Sequence, residues 1–331
     1  MSQEPLLSVR NLNVRIPTPR GELHVVRDLN FDLGRGEVLG LVGESGSGKS
    51  VTLRALLRLH RAPVRVSGSV RYAGQDLLTL SEPQLRGVRG AQIGMIFQEP
   101  MTALNPVLTV GAQIGENLRE HTKLRGRAAQ DRAAELLDLV GIPSPRARLS
   151  DYPHQFSGGM RQRAMIAIAL AAEPKVLLAD EPTTALDVTI QDQILRLLLR
   201  LREQLGMGVI LVTHDLGVVA QTCDRVAVMY AGRLVETADT LDLFRRPRHA
   251  YTLGLMRSLP DVGGARRPLQ PIPGAPPNLL HLPQGCAFAP RCTFQTAACL
   301  PAEPPLVEVT PGRLSACVHH AELPGVVEVV A

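Results

Sequence analysis

The stretch Gly43-Glu44-Ser45-Gly46-Ser47-Gly48-Lys49-Ser50 constrains this chain more than any other. It fits the phosphate-binding loop pattern G-x-x-x-x-G-K-[ST]. Its flanks fit too. Glu37 to Val42 reads as a short buried strand, and Val51 to Leu57 as the start of a helix. A strand, a glycine turn and a helix N-terminus make an anion site, because free backbone N–H groups and the helix dipole both favour negative charge. In such a site Lys49 reaches the β- and γ-phosphates and the Ser50 hydroxyl takes a Mg²⁺ position.

The rest of the composition sets limits around that loop. The 331 residues suffice for two or three domains, and 45% hydrophobic with 20% charged residues fits a folded globular chain. No apolar run is long enough to span a bilayer. Met1 to Pro5 has neither a basic start nor an apolar core, so no signal peptide is expected and the protein reads as cytosolic. The net charge of +5 is small for this length. Its arginines are scattered, with short clusters at Arg245-Arg246-Pro247-Arg248 and Arg266-Arg267. Only 3% of residues are aromatic and tryptophan is absent, so stacking platforms for bases are not expected, nor is nucleic-acid binding.

Before the loop, Leu7-Ser8-Val9, Leu12-Asn13-Val14, Leu23 to Val26 and Leu29-Asn30-Phe31 read as antiparallel strands, with turn chemistry at Pro17 to Gly21. Gly68 to Gly74 reads as another strand and turn, and Ile93 to Phe97 as a buried strand ending at Gln98. Helical periodicity runs from Thr109 to Leu139, which marks a helical insertion. It closes with Ser157-Gly158-Gly159 and a helix from Met160 to about Ala172. The apolar run Val176 to Ala179 leads to Asp180-Glu181. A helix from Ile190 to Leu205 and a strand from Val209 to Thr213 lead to His214, and Val226 to Met229 reads as the last strand. Strands alternating with helices imply an α/β fold with a parallel sheet, whose ligand edge is at the strand C-termini. From Arg245 onward, prolines including Pro260, Pro268, Pro271 and Pro273 punctuate a segment with little periodicity that reads as a separate extension.

Polar residues at the strand ends supply the chemistry. A carboxylate such as Asp180 at a buried strand end can hold Mg²⁺, and the adjacent Glu181 can act as a general base toward water. Gln98 and His214 stand at comparable positions. Ser157-Gly158-Gly159 before a helix offers a second anion-binding end. One nucleotide hardly needs two such ends from one chain. A head-to-tail dimer, in which each site is completed by its partner, resolves this.

With these motifs in order, the chain resembles an ATP-binding subunit of an ABC transporter over about Leu6 to Thr240. The motifs are the phosphate loop Gly43 to Ser50, Q-loop Gln98, signature Ser157-Gly158-Gly159-Met160-Arg161-Gln162, Walker B Asp180 with Glu181, D-loop Ala185-Leu186-Asp187 and switch His214. The resemblance implies a phosphate-loop NTPase (RecA-like) core with an antiparallel β subdomain and a helical subdomain. It implies that Glu181 is the catalytic base, that His214 contacts the γ-phosphate, and that Gln98 links Mg²⁺ and attacking water to the membrane subunit. Ser157 to Gly159, with Asp187, would complete the opposite site of a nucleotide-sandwich dimer. Two positions depart from the pattern. Met160 stands where the signature usually carries Gln. Ile16 stands where an aromatic usually stacks on adenine, which implies a purely apolar adenine contact. The implied domains are 1–98, N-terminal core with β subdomain; 99–172, helical subdomain; 173–244, C-terminal core; and 245–331, extension.

Within the family, Gln98 to Pro106, Asp180 to Thr189, His249 to Leu253 and Gly285 to Cys292 resemble oligopeptide and dipeptide importers, with nickel importers sharing much of the pattern. This implies an ATPase on the cytoplasmic face of the membrane, working with a second ATP-binding subunit (often a related but different chain), two permease subunits and an extracytoplasmic solute-binding protein. A soluble ABC ATPase of DNA repair or translation is a second reading. Against it, no sustained heptads separate Lys49 from Asp180, and only one nucleotide domain is present. A phosphate-loop kinase is a third, opposed by the signature and His214. Four of five cysteines, Cys286, Cys292, Cys299 and Cys317, fall in the extension. In a reducing cytosol disulfides are not expected, and four thiolates suit a metal centre. The resemblance implies a [4Fe-4S] cluster. Zinc, with His319 or His320 as substitute ligands, and free thiols are the other readings. Cys223 reads as a core residue.

Overall fold

A computed structural model of the protein describes residues 4–184, 186–258 and 270–325. Ala185, Pro260, Arg266, Arg267 and Pro268, singled out above, lie outside these residues. The chain forms two compact units. One is built mainly from Thr79–Val212 with Leu33–Glu37; the other combines Ser8–Asp32, Val38–Leu78 and the chain from Thr213 onward.

In the first unit, three strands run parallel: Ile93–Ile96, Val176–Asp180 and Gly208–Thr213. Ile93 pairs with Val176, and Val176 in turn with Gly208. All five residues of Val176–Asp180 and all six of Gly208–Thr213 are buried. A strand buried on both faces reads as a continuous apolar run, which is why these two were legible. The Thr109–Leu139 periodicity divides into two helices, Val110–His121 and Gly126–Leu139. Thr109 caps the first through its side chain, which accepts from the Ala112 amide. The helix Gly158–Leu170 starts two residues before the expected Met160 because Ser157 is its N-cap. Likewise Val188–Leu205 starts at its cap, Asp187, whose carboxylate accepts from Ile190 at 2.9 Å. Each cap contributes about 1 kcal/mol.

The second unit holds two sheets. In the first, the strands lie in the order Gly21–Leu33, Leu7–Thr18, Arg65–Tyr72, Gln75–Asp76. Four short strands were expected before residue 33; the structure has two long ones. Asn11 and Asp28 take left-handed backbone at φ 47° and 48°, a conformation that Asn and Asp tolerate. They break the alternation without ending the strands. Asn13 bonds the Asp28 carboxylate across the pair at 3.0 Å, and Asn11 donates to Asn30 at 2.9 Å.

In the other sheet, Val38–Val42 lies parallel to Arg225–Tyr230, with Leu39 opposite Arg225. Val226 to Met229 is not the last strand. Arg233–Asp239 returns antiparallel, and Arg313–Ser315 and then Val307–Thr310 of the C-terminal segment extend the sheet. The reason these were missed is chemical. Glu236 and Arg313 read as solvent-facing charges, yet Glu236 is wholly buried and pairs with Arg313 at 2.7 Å. The C-terminal segment also closes on Glu303, which binds both Arg27 and Arg233, at 2.7 and 2.8 Å. An aromatic cluster of Tyr230, Tyr251 and Phe288, with centroids 4.5–5.4 Å apart, supplies its apolar contact. Cys223 is buried as expected, its thiol against Gly40, and burial pushes it up to about 12.

Candidate functional site

The phosphate loop leaves the buried strand Val38–Val42 and ends on the helix Lys49–Leu56. Gly43 (φ 152°) and Gly48 (φ 106°) adopt backbone that side chains rarely take. A Cβ on Gly43 would lie 2.1 Å from the Met229 carbonyl oxygen, so only glycine fits. Ser45 and Gly46 are exposed, Ser47, Gly48 and Lys49 are buried, and Ser50 is half-buried. The Lys49 ammonium donates to the carbonyls of Gly43 at 2.7 Å and Glu44 at 2.9 Å. It is therefore held inside the loop, as a phosphate-reading lysine needs to be. Ile16, in the same unit, is half-buried within the strand Leu7–Thr18. His214 is exposed, directly after the strand Gly208–Thr213.

In the other unit, Asp180 is fully buried as the last residue of its strand. Glu181 follows in left-handed backbone at φ 47°, fixed by its amide donating to Val212 at 3.0 Å. A non-glycine residue held there stores about 1–3 kcal/mol of strain, which clusters at functional positions. The Glu181 carboxylate accepts from Gln98 Nε2 at 3.1 Å and from the Thr184 hydroxyl at 2.8 Å. Gln98 and Glu181 are 83 positions apart, and the Ile93–Ile96/Val176–Asp180 pairing brings them together. Thr184 was not picked out from sequence; its place three residues after Glu181 is the signal that could have found it.

Ser157 and Gly158 are exposed, and the Ser157 hydroxyl accepts from Met160 at 3.3 Å. This helix start packs against the next one, since a Cβ on Gly159 would lie 3.0 Å from Ile190. Signature and Asp187 thus form one surface with exposed Val188.

Among the described residues, no group of three or more His, Cys, Asp or Glu is set to hold a metal ion, and all five cysteines are free. Burial raises the thiols of Cys286, Cys292 and Cys317, and the neighbouring cysteines add to the rise. Burial pushes Cys292 up to about 11. His319 is a poor substitute ligand. Its Nε2 meets the Thr296 hydroxyl at 2.9 Å and its Nδ1 meets Glu322 at 3.2 Å. His320 Nδ1 is taken by the Cys317 carbonyl at 2.9 Å. Ser50 in one unit carries a hydroxyl and Asp180 in the other a carboxylate, each a hard oxygen donor of the kind Mg²⁺ takes.

The family described as "ABC transporter" matches residues 26–184. A peptide import ATP-binding protein of Brucella abortus (strain 2308) is 54% identical over 95% of this chain and 94% of its own length. The chain belongs to the ABC transporter ATP-binding proteins. A second family, "Oligopeptide/dipeptide transporter, C-terminal region", matches residues 235–299. A further peptide import ATP-binding protein, of Brucella melitensis biotype 1, is 50% identical over 98% of this chain and 99% of its own. Among solved structures, a dimeric ATP-binding cassette in a post-hydrolysis state with ADP and Pi covers 71% of this chain, at 28% identity and TM-score 0.64. The structure of cbiO1 from Clostridium perfringens, part of the ABC transporter complex cbiONQ, covers 73% of this chain and 91% of its own at 28% identity and TM-score 0.62. As an ABC ATP-binding protein the chain is an ATPase that uses ATP with Mg²⁺. It is peripheral to the membrane, and no helix among the described residues is long and apolar enough to cross one.

Proposed function

We propose that this ATPase powers an importer of di- or oligopeptides. The observation that carries the substrate class is the match of residues 235–299 to the C-terminal region of oligopeptide/dipeptide transporters. The test is uptake of a labelled peptide by vesicles carrying the assembled transporter. ATP-dependent peptide uptake is expected; uptake of Ni²⁺ without peptide would overturn the substrate class.

In this reading Gly43, Glu44, Ser45, Gly46, Ser47, Gly48 and Lys49 hold the phosphates, Ser50, Asp180 and Gln98 hold Mg²⁺, and Ile16 gives adenine an apolar contact. Mg²⁺ bound there would neutralise charge on the phosphates. Glu181 takes a proton from the attacking water, while Gln98 and Thr184 hold its carboxylate in one orientation. His214 contacts the γ-phosphate. Ser157, Gly158, Gly159 and Asp187 act on the partner's nucleotide in a head-to-tail dimer. The exposure of Ser157, Gly158 and Asp187 supports this, since a surface that closes on another subunit must be open in the single chain. The partner is a related but different ATP-binding chain, and a solute-binding protein delivers peptide to the two permease subunits. The four-part division at 98, 172 and 244 is kept, as it separates the segments that carry these tasks.

Permease docking is supported by apolar surface just beyond Gln98. Met101 is 64% exposed and Val107 76% exposed, on either side of Asn105. Such side chains lose water on docking, while a charge there must be desolvated. Val107→Asp should lower recovery of the assembled complex by about tenfold, the effect of ~1.4 kcal/mol. Co-purification with the permease measures it, and undiminished recovery would place the docking surface elsewhere.

We keep a [4Fe-4S] cluster on Cys286, Cys292, Cys299 and Cys317, with zinc second. Support comes from the four thiol donors and from the Phe294 amide donating to the Cys292 sulfur at 3.4 Å. The arrangement does not set three of them for a metal, so no step of the mechanism uses it. Anaerobically purified protein should absorb near about 400 nm; a colourless protein with stoichiometric zinc would replace the cluster with zinc.

A further inference from the structure

The phosphate loop is gripped from outside by the C-terminal segment. Arg291, only 7% exposed, forms a two-point ion pair with the Glu44 carboxylate, Nη1 to Oε2 at 2.7 Å and Nη2 to Oε1 at 2.9 Å. The guanidinium is itself fixed. Its Nε donates to the Pro273 carbonyl at 2.8 Å, and it lies about 6 Å over the rings of Tyr230 and Phe288. The Glu44 amide donates to the Tyr251 hydroxyl at 2.8 Å. Backbone and side chain of the same loop residue are thus tied to two C-terminal residues more than two hundred positions away. Glu44 is also one of the two residues whose carbonyls hold the Lys49 ammonium.

We propose that Arg291 is a positioning residue for nucleotide binding: by fixing and neutralising Glu44 it keeps the phosphate loop in its anion-accepting form, so the C-terminal segment sets the affinity for ATP. This rests on reading Gly43–Ser50 as the phosphate-binding loop. Two physical effects act together. A bidentate pair with a largely buried arginine is geometrically specific in a way that a solvated surface pair is not. And a carboxylate inside a loop that must receive a triphosphate opposes binding unless its charge is matched. Arg291 lies within the stretch Gly285 to Cys292, but nothing local pairs it with Glu44, 247 positions earlier.

The charge effect separates this role from a merely structural one. Arg291→Ala should raise Kd and KM for ATP about tenfold, with kcat within about twofold. Arg291→Lys, which keeps the charge but loses the fork, should fall between the two. Adding Glu44→Gln to Arg291→Ala should recover most of the affinity, since the unmatched carboxylate is gone. Wild-type affinity in Arg291→Ala and Arg291→Lys would overturn the proposal. So would a double variant that binds ATP no better than Arg291→Ala. If Arg291→Ala does not fold, Arg291→Lys with and without Glu44→Gln reads the same coupling. Lys49→Ala serves as the separate check on the loop: retained ATP binding there would overturn the phosphate-loop reading itself, whatever Arg291 does.

Discussion

Glu181→Gln should keep ATP binding and lose at least about two orders of magnitude in turnover, the usual worth of a positioned general base. The structure favours a clean separation of the two effects. The Glu181 carboxylate is held by Gln98 at 3.1 Å and Thr184 at 2.8 Å, and the backbone at φ 47° is fixed by the Val212 carbonyl. A glutamine of the same shape retains an oxygen that can accept from Thr184, so the strand end keeps its form. What it lacks is a lone pair basic enough to take a proton from water. Nucleotide affinity, measured with a fluorescent ATP analogue, should stay near wild type, while single-turnover hydrolysis falls. Turnover near wild type would remove Glu181 from the role of base. A parallel loss of binding would mean the carboxylate serves the loop or the metal instead.

The parts of this site that could be read in the sequence share one physical property: they are local. Gly43 to Ser50 carries its strand, turn and helix start within about twenty residues. The runs before Asp180 and His214 are buried on both faces, so periodicity cannot be confused by solvent. Contacts between distant residues were not legible. Glu44 looks like a variable loop position until Arg291 is found against it. Glu236 and Arg313 look like surface charges, and treating them so hides two of the three strands that follow Tyr230. The early strands were cut too short because Asn11 and Asp28 resemble turn residues, while the paired chain absorbs them as local left-handed kinks. Four cysteines gathered in one segment suggested ligands. Only the structure shows that His319 and His320 already have partners.

Glu236→Ala should destabilise the protein by about 3–5 kcal/mol, the cost of leaving half of a buried ion pair behind. The carboxylate is fully buried in the strand Arg233–Asp239. It accepts from Arg313 at 2.7 Å and from the amides of Arg248 at 2.7 Å and His249 at 2.9 Å. Removing it strands a guanidinium and two amides at once. His249 offers no substitute charge, because burial pushes its imidazole down to about 3. Its neutral Nδ1 accepts from the Tyr251 amide at 3.0 Å, so the same short run leads directly to the tyrosine that holds Glu44. Glu236→Gln keeps an acceptor and should cost about 1–3 kcal/mol. The two variants also differ from wild type in their response to pH. Burial is the largest influence on Glu236 and raises its pKa, against the pull of Arg313 and the Arg248 amide. A raised folded pKa means that the stabilising contribution is complete below the unfolded value of about 4.3 and declines as pH rises through the folded value. Glutamine has no such dependence. Denaturant melts should therefore show the gap between wild type and Glu236→Gln narrowing as pH rises from about 4 toward neutrality. A gap that widens would mean that Arg313 outweighs burial and the carboxylate is ionised throughout. In either case, loss of Glu236 should weaken ATP binding alongside stability, since the strand, His249, Tyr251 and the phosphate loop form one hydrogen-bonded series.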